Sequence, residues 1–460
     1  MSHLLPSLFL LPLVKPPSSP HSSSSSSSSS SSALCVTPTN TFSEAYYTMP
    51  LNNTGKTDYV RFTGSRNLRH RLVCATLTSR AVRIDDIRAR GTSNPGLRAY
   101  EASFLRLLDK ITNGSEIIVN ESGTSLKYKP GVIVGGKRLT HDCGLGRGLG
   151  YYVEALCAIG IFGKKPMEIT LFGLTNDDEE VSVDTFRTVT LPMLKKRFGC
   201  DDGLSLHVAK RGCPPDGGGE VKLSFPIAKE LPGGIDWVTE GLVKRVRGVA
   251  FTARIPPQMA NRLVDGARGV LNNFLPDVYI FTDHHNGKEG GNSPAYGISL
   301  VAETTEGCVL GSDCSSASTR KEREKEEDEG RLLLDHRGGK NTKDHEERRE
   351  DEENADEEDQ SQKTPEDYGR ECAEALVSEI QRGGVCDSSH QALVLTLLAC
   401  SPDQICRVRL GQLTPRSIQC LRTIRAFFGV TFNIQPEPES GTVFLSCVGA
   451  GMRNVAKRAT

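Results

Sequence analysis

The sequence predicts an α/β (α+β) fold that repeats one small unit of strand, helix, strand and strand. Three stretches show this order, at residues 83–131, 244–305 and 406–448. In the first of them, a run of alternating polar and apolar residues, typical of a half-buried strand, precedes apolar residues at helical spacing. Sequence identity between the three stretches is negligible, so the repetition is one of pattern. We therefore expect a duplicated fold.

The first stretch shows its elements most clearly. Arg83–Ala89 alternates and predicts a strand. Asn94 stands where a helix N-cap belongs, with Pro95 at the first helical position, where its missing N–H costs nothing. Asn113-Gly114 predicts the end of this helix, because glycine accepts the left-handed conformation of a C-cap. The apolar face of the helix consists of Leu97, Phe104, Leu105, Leu108 and Ile111.

Most of the remaining chain reads as further helices and strands. Helices are predicted at residues 151–161, 183–198, 257–274, 367–381, 388–398 and 414–428. Strands are predicted at residues 167–173, 204–211, 220–225, 244–255, 277–282, 296–305, 406–410, 430–434 and 442–448. A turn rich in proline and glycine at Leu231–Gly234 indicates a domain boundary.

Four glycines at alternate positions precede the helix at 151–161. They are Gly144, Gly146, Gly148 and Gly150. A phosphate-binding loop would end in GK[ST], and a dinucleotide-binding loop would have the spacing GxGxxG; neither pattern is present. The run therefore favours close packing of the helix over phosphate binding, with Arg147 as the only basic residue within it.

Two segments have a composition that does not bury a core. Residues 1–57 contain an unbroken serine run, Ser22–Ser32, and predict a disordered extension. Residues 313–366 are dominated by Glu, Lys, Arg and Asp and predict a disordered, net acidic insertion. Because the whole chain has a formal net charge of −1, the rest of it is mildly basic, which is compatible with RNA binding.

Cysteine spacing and hydropathy exclude several classes of protein. The 14 cysteines include no CxxC pair, so we expect small buried hydrophobes in a reducing compartment and no zinc knuckle. No apolar run approaches the length of a transmembrane helix. Leu4–Val14 is apolar but is broken by two prolines, which argues against a signal or transit peptide.

Arginines and histidines give the first candidate sites. Arg88, Arg90 and Arg98 crowd the turn before the first predicted helix, whose N-terminus would favour an anion; the alternative is solvated surface charge. His284-His285 would point to opposite faces of a strand, which disfavours a shared metal ion. His390, near the start of a helix, is predicted to be a capping-region polar residue, with phosphate binding as the alternative.

Several segments together resemble the RNA 3′-terminal phosphate cyclase family, in particular its nucleolar, non-cyclising branch. These segments are Asn94–Arg98, Glu101–Gly114, Tyr128–Gly131, Pro214–Val221, Pro257–Arg262 and Ser299–Thr305. The resemblance runs from about Tyr59 to Lys457, interrupted by the charged insertion. It implies βαβαββ units that form a large domain, at 58–232 and 367–460, with a smaller inserted α/β domain at 233–312.

The resemblance also implies a degenerate nucleotide site. Cyclases of the family adenylylate a histidine in a His-x-x-Asp-Gln pattern. With Gln391 on the family's glutamine, Asp387 stands at the histidine position and His390 at the aspartate position. The family's nucleotide-binding turn, Glu-Gly-Gly-Gly-Gln, corresponds to Phe62–Arg66, which lacks the acid and ends in Arg66. A carboxylate replaces an imidazole nucleophile poorly, so we expect no catalytic residues, metal or cofactor.

The implied function is that of a ribosome biogenesis factor. It would act in the nucleolus, within the small-subunit processome, in pre-rRNA processing to 18S rRNA, with a large GTPase as partner and no membrane contact. RNA would be held through its phosphates, with little base specificity. The candidate residues are Arg69, Arg71, Arg88, Arg90, Asn94, Arg98 and Arg147. Three alternatives stay open: a pre-rRNA endonuclease, a residual ATP-dependent cyclase that uses His390, and a protein adaptor that binds no RNA.

Overall fold

Three four-stranded sheets of one shared topology form the larger part of the protein, seen here as a computed structural model. The structure describes residues 58–90, 94–200, 203–317 and 363–454. The predicted N-terminal extension at 1–57 lies outside the described residues. Of the insertion predicted to be disordered at 313–366, residues 318–362 lie outside them too, but the prediction was wrong at both ends, since residues 313–315 belong to a strand and residues 365–366 to a helix.

The first unit begins at the N-terminal end of the described chain. Its elements are β1 (Val60–Thr63), α1 (Leu68–Thr78), β2 (Val82–Asp85), α2 (Ala99–Ile111), β3 (Thr112–Asn113), β4 (Glu116–Val119), β5 (Leu126–Lys129) and β6 (Val132–Ile133). The sheet has the order β1-β2-β5-β4, with β1 and β2 parallel and the other neighbours antiparallel. The short strands β3 and β6 pair with each other. The inward residues Ile84 and Leu126 are fully buried with Leu72 of α1 and Phe104 of α2.

The second unit repeats this arrangement. Its elements are β7 (Gly136–Asp142), α3 (Gly150–Ile159), β8 (Met167–Gly173), α4 (Val183–Thr185), α5 (Leu191–Phe198), β9 (Ser205–Lys210) and β10 (Gly219–Phe225). A π-helical turn, Phe186–Thr190, joins α4 to α5. The sheet order is β7-β8-β10-β9, again with one parallel and two antiparallel pairs.

The third unit is interrupted by an inserted unit. The remaining elements are β11 (Asp236–Trp237), β12 (Val243–Ala253), α6 (Gln258–Leu271), β13 (Val278–His285), β14 (Ala295–Thr304), β15 (Val309–Ser315), α7 (Pro365–Arg382), α8 (Gln391–Cys400), β16 (Ile405–Leu410), α9 (Pro415–Phe428), β17 (Asn433–Glu437) and β18 (Thr442–Val448). The third sheet, β11-β16-β18-β17, takes its first strand from before the insertion and the rest from after it.

The predicted duplication is confirmed, but the prediction put one copy in the wrong place. Residues 136–225 form a copy, whereas residues 244–305 belong to the inserted sheet, whose order is β13-β12-β14-β15. There β12 pairs with both strands that follow it, parallel to β13 and antiparallel to β14, whereas β2 of the first unit pairs with β5 but not with β4. The order of elements along the chain is as predicted, but that order does not determine whether the strand after the helix pairs with the strand before it.

The inserted unit also differs from the predicted range 233–312 at both ends. Trp237 pairs with Val408, so β11 belongs to the third sheet. Helix α7, predicted to lie in the large domain at 367–460, packs on α6 and on the inserted sheet instead. Its Cys372 and Leu376 are fully buried in the core of that sheet. The apolar face of α7 thus completes a second core that the inserted strands and α6 leave open.

The first predicted helix begins later than expected. Asn94 is exposed and is not an N-cap, because α2 starts at Ala99 with Arg98 as its N-cap. The backbone N–H of Gly96 donates to Ile87 (3.2 Å), which holds the chain in the preceding turn. The Glu101 carboxylate accepts the backbone N–H of Arg98 (2.9 Å), as in a capping box.

Other local predictions agree with the described residues. A Cβ on Gly148 would lie 2.6 Å from Asp177 Oδ1, and one on Gly150 would lie 2.2 Å from the Val181 carbonyl oxygen, so these glycines do permit close packing. All described cysteines are free, and all of them except Cys314 are buried. Among the described helices, none combines the length and the apolar character that a bilayer crossing requires.

Candidate functional site

The position of the family's nucleophile lies in a buried turn before α8. Asp387 and His390 are 1% and 3% exposed. Oδ1 of Asp387 accepts the backbone N–H groups of Ser389 and His390 (3.1 Å each) and lies 2.7 Å from His390 Nδ1. Oδ2 accepts the Gly311 N–H (3.0 Å), and His390 Nε2 lies 2.6 Å from Thr190 Oγ1. Each carboxylate oxygen and each ring nitrogen of the pair therefore has a partner within the protein.

The two side chains favour an ion pair. Burial lowers the pKa of His390, but the Asp387 carboxylate outweighs burial and raises that pKa above its ordinary value. Burial raises the pKa of Asp387, but His390 and the backbone N–H groups outweigh it and lower that pKa. Since Gly311 lies in β15 and Thr190 in the π-helical turn, the pair connects α8 to the inserted sheet and to the second unit.

The side-chain amide of Gln391, at the family's glutamine position, also forms its hydrogen bonds within the protein. Its Oε1 accepts the Thr414 backbone N–H (3.1 Å) and the Ser417 hydroxyl (2.8 Å) at the start of α9. Its Nε2 donates to the Gln412 carbonyl (3.1 Å). Gln391 thus serves as a side-chain bridge between the N-termini of α8 and α9.

Arg69 projects from α1 into a group of carboxylates. Its guanidinium pairs with Glu154 (2.5 Å) and Glu180 (3.1 Å) and lies 4.4 Å from the ring centroid of Tyr151. Burial lowers the pKa of Arg69, but the two carboxylates outweigh burial and raise it. Glu154 also pairs with Arg416 of α9. The positive charge of Arg69, which matches a family arginine, is therefore neutralised by carboxylates of the protein itself.

A cavity of about 30 Å³ lies where α1, α3, α8 and α9 meet. Its polar lining residues are Asn67, Arg69, His70, Glu154, Thr396 and Arg416. Arg66, Asp387 and His390 do not line it; Arg66 is exposed on the turn after β1. The cavity has room for one or two water molecules and not for a nucleotide.

The turn that corresponds to the family's nucleotide loop is held by Arg71. Its Nη1 donates to the Gly64 carbonyl (2.7 Å), and its guanidinium lies 4.6 Å from the ring centroid of Phe62. Arg71 is 8% exposed, and burial lowers its pKa. The Arg71 side chain thus stabilises the turn through a hydrogen bond to its backbone and a contact with the Phe62 ring.

Most of the other predicted phosphate-binding arginines also contact protein groups. Arg88 forms two hydrogen bonds to the Glu101 carboxylate (2.7 and 2.8 Å), so the helix N-terminus predicted to hold an anion already holds Glu101. Arg98 Nη1 donates to the Asn94 carbonyl (3.3 Å). Arg147 pairs with Glu179 and Glu180. Arg90 and Asn94 have exposed side chains.

A groove of about 400 Å³ beside α7 is strongly acidic. Six carboxylates line it: Asp177, Asp178, Glu179, Glu180, Asp313 and Glu371. Burial raises the pKa of Asp177 to about 6. Lys363 also lines the groove and pairs with Glu371, and Arg147 pairs with Glu179 and Glu180, so the groove keeps a smaller net negative charge, which disfavours a polyanion.

Acid is expected to weaken the fold between about pH 6.5 and pH 4 through His70. Burial, with Arg416 and Arg69, lowers its pKa to about 4 despite Glu154. A pKa below the unfolded value of 6.5 means that the neutral ring stabilises the fold above that pH. This contribution, up to about 3 kcal/mol, is lost as the pH falls through 4.

Urea unfolding at a series of pH values measures this loss. His70→Gln is expected to flatten the dependence, while His141, whose pKa burial also lowers to about 4, keeps part of the slope. The control is His207→Gln on the exposed side of β9. A slope unchanged in His70→Gln would contradict the assignment.

Relatives of known name align with most of the chain. The family model described as RNA 3′-terminal phosphate cyclase matches residues 60–434. A Dictyostelium discoideum protein named "Probable RNA 3′-terminal phosphate cyclase-like protein" is 45% identical over 402 residues, with 86% of this chain and 99% of that protein covered. A Homo sapiens protein named "RNA 3′-terminal phosphate cyclase-like protein" is 42% identical over 403 residues, covering 86% and 97%. A Schizosaccharomyces pombe protein named "rRNA processing protein rcl1" is 40% identical over 401 residues, covering 86% and 98%.

Proposed function

Because this chain belongs to the RNA 3′-terminal phosphate cyclase family, we propose that it is a non-cyclising member that acts in rRNA processing. In this proposal it works in the nucleolus, within the small-subunit processome, on the route from pre-rRNA to 18S rRNA. It binds pre-rRNA and a large GTPase partner. The observation that carries the proposal is the buried, fully hydrogen-bonded Asp387 at the family's nucleophile position.

The chemistry of nucleotidyl transfer explains why this observation matters. A nucleophile must direct a free lone pair at the phosphorus atom of the nucleotide. Both oxygens of Asp387 accept hydrogen bonds, and both ring nitrogens of His390 lie within hydrogen-bond distance of a partner. An adenylate on His390 would require the ring to move out of a site that is 3% exposed, and the buried Asp387 carboxylate would lose its ion-pair partner.

The surroundings of Arg69 support the same conclusion. A nucleoside triphosphate beside Arg69 would meet the carboxylates of Glu154 and Glu180, which already neutralise the arginine. The cavity at that point holds about 30 Å³. The name of the Schizosaccharomyces pombe relative supports the step from family to process, since the alignment covers 98% of that protein.

Replacement of the Schizosaccharomyces pombe relative by this chain is expected to support pre-rRNA processing. Cells in which the resident gene is shut off should recover mature small-subunit rRNA, measured by RNA blotting, when this chain is expressed, and an empty vector should give no recovery. Co-purification of a large GTPase with the tagged chain is expected from the same cells. A chain that accumulates without restoring processing would contradict the proposal, and a covalent adenylate on the purified protein would contradict its non-cyclising part.

A further inference from the structure

The open face of the first sheet carries a row of cations. Arg61 of β1 pairs in register with Arg83 of β2, and Arg83 pairs with Lys127 of β5. Directly paired residues point to the same side of a sheet, and neighbouring strands lie about 4.8 Å apart. The row ends on β4 at Ile118, which is 56% exposed. The opposite face of this sheet is the buried one that packs on α1 and α2.

This row is costly to the isolated protein. Like charges directly opposite each other on neighbouring strands destabilise a sheet. Arg83 has a carboxylate partner in Asp85 (2.7 Å). Asp85 also attracts Arg61 electrostatically, whereas no ion pair among the described residues includes Lys127. Asp85 therefore offsets part of the repulsion along the row, and an external anion would relieve the part that remains, at Lys127 above all.

The two sister sheets show that the topology does not impose such a row. The corresponding exposed row of the second sheet is Thr140, Thr170, Lys222 and His207. That of the third sheet is Asp236, Arg407, Ser446 and Asn433, where Arg407 pairs with Asp236 (3.5 Å). Neither row sets two Lys or Arg side chains opposite each other. The cation row is thus specific to the first unit.

We propose that this cation row, Arg61, Arg83 and Lys127, binds the phosphate backbone of RNA. The row spans two strand spacings, about 10 Å, on the face of the sheet that points away from the core with α1 and α2, which suits an extended polyanion better than a small ligand. Contacts of this kind give affinity and salt dependence without base readout. The inference rests on the proposed function and names the surface that would hold its RNA, since Arg69, Arg71, Arg88 and Arg147 contact protein groups.

Fluorescence anisotropy of the full chain with a labelled polyuridine RNA tests the proposal across a salt series. The double variant Arg61→Gln/Lys127→Gln is expected to bind about 20-fold more weakly near 0.1 M salt, with a log–log salt slope shallower by about 1.4. The matched control, Lys137→Gln/Lys222→Gln, makes the same charge change on the second sheet, where these side chains are 72% and 57% exposed. It is expected to bind within about twofold of the unchanged protein.

Thermal unfolding separates binding from a structural role. Because the double variant removes opposing like charges, its Tm is expected to stay equal or to rise. A fall in Tm together with weaker binding would assign the row to the fold and overturn the proposal. Equal losses in both double variants would show that net charge alone matters, and would overturn it too.

Two further outcomes locate the failure. If polyglutamate binds as tightly as the RNA, with the same loss in the double variant, the occupant is an acidic protein and the RNA proposal is overturned. If the unchanged chain binds no RNA at low salt, the cation row has no RNA ligand and the proposal falls. The role in rRNA processing is then judged separately, by the replacement in Schizosaccharomyces pombe.

Discussion

Replacing Asp387 by alanine is expected to lower the free energy of unfolding by about 3–5 kcal/mol, because it removes one member of a buried ion pair. The His390 imidazolium would lose its carboxylate, and the Gly311 N–H would lose its acceptor. The loss would fall on the junction between α8, the inserted sheet and the second unit. Urea unfolding near neutral pH measures it.

Two variants give this experiment its controls. Asp403→Ala removes an exposed carboxylate from the loop after α8 and is expected to cost less than about 0.5 kcal/mol. Asp387→Asn keeps the shape of the side chain and one oxygen acceptor but loses the charge, so an intermediate cost is expected. A cost below about 1 kcal/mol for Asp387→Ala would show that the pair does not hold this junction.

The pH dependence of the same pair has a defined sign. The folded-state pKa of His390 is raised, so its contribution is complete below the unfolded value and is lost as the pH rises through the folded value. The pKa of Asp387 is lowered, so its contribution is present above the unfolded value and is lost in acid. The stability advantage of the unchanged protein over Asp387→Ala is therefore expected to shrink at both ends of the pH range.

The sequence alone was sufficient to predict the bounds of elements that are buried on one side only. Strands β8 and β18 have the predicted bounds, Met167–Gly173 and Thr442–Val448, and buried residues alternate with more exposed ones along β8. Helix α1 was not predicted, because its buried and exposed sides do not differ clearly in polarity. Residues Leu72 to Leu77 are all buried, and Arg71 is buried with them, so no polar stripe marks a helical period.

Long-range pairing was beyond the sequence. The positions Asp387, His390 and Arg69 follow from the family pattern, but their partners do not. Thr190 lies 200 residues from His390, and Glu180 lies 111 residues from Arg69. No periodicity or spacing in one chain links residues so far apart, so charged side chains that are paired in the fold looked available for phosphate.

The sequence near Arg98 did contain a local indication that the helix N-terminus binds a carboxylate of the protein itself. Glu101 stands three residues after Arg98, the spacing by which a carboxylate caps the start of a helix. An acidic residue in the first turn also satisfies the helix dipole, which leaves less reason for an external anion there. The Arg88 side chain and the Arg98 backbone N–H therefore hold the protein's own carboxylate, Glu101.

Arg211, which no motif indicated, joins the inserted unit to the second unit. Its side chain is 1% exposed and pairs with Asp184 of α4 and with Asp283 of β13 (3.1 Å). Its guanidinium lies 4.5 Å from the ring centroid of Phe251 in β12. Burial lowers its pKa, but Asp184 and Asp283 outweigh burial and raise it. Arg211 thus forms ion pairs with carboxylates from both the second unit and the inserted unit.

Arg211→Met is expected to lower the free energy of unfolding by about 3–5 kcal/mol, since it keeps the apolar stem but leaves Asp184 buried without its main partner. Arg187 is the matched control, because it pairs with the same Asp184 (3.0 Å) from a side chain that is 38% exposed. Arg187→Met is expected to cost less than about 1 kcal/mol.

Hydrogen exchange gives the second readout. In Arg211→Met, amides of β13 and α4 are expected to lose protection before those of the first sheet, because the contact between the inserted and second units fails first. Equal costs for the two variants, or a uniform loss of protection, would mean that apolar packing and not Arg211 holds these units together. The comparison therefore measures a buried charge against an exposed one on a single shared carboxylate.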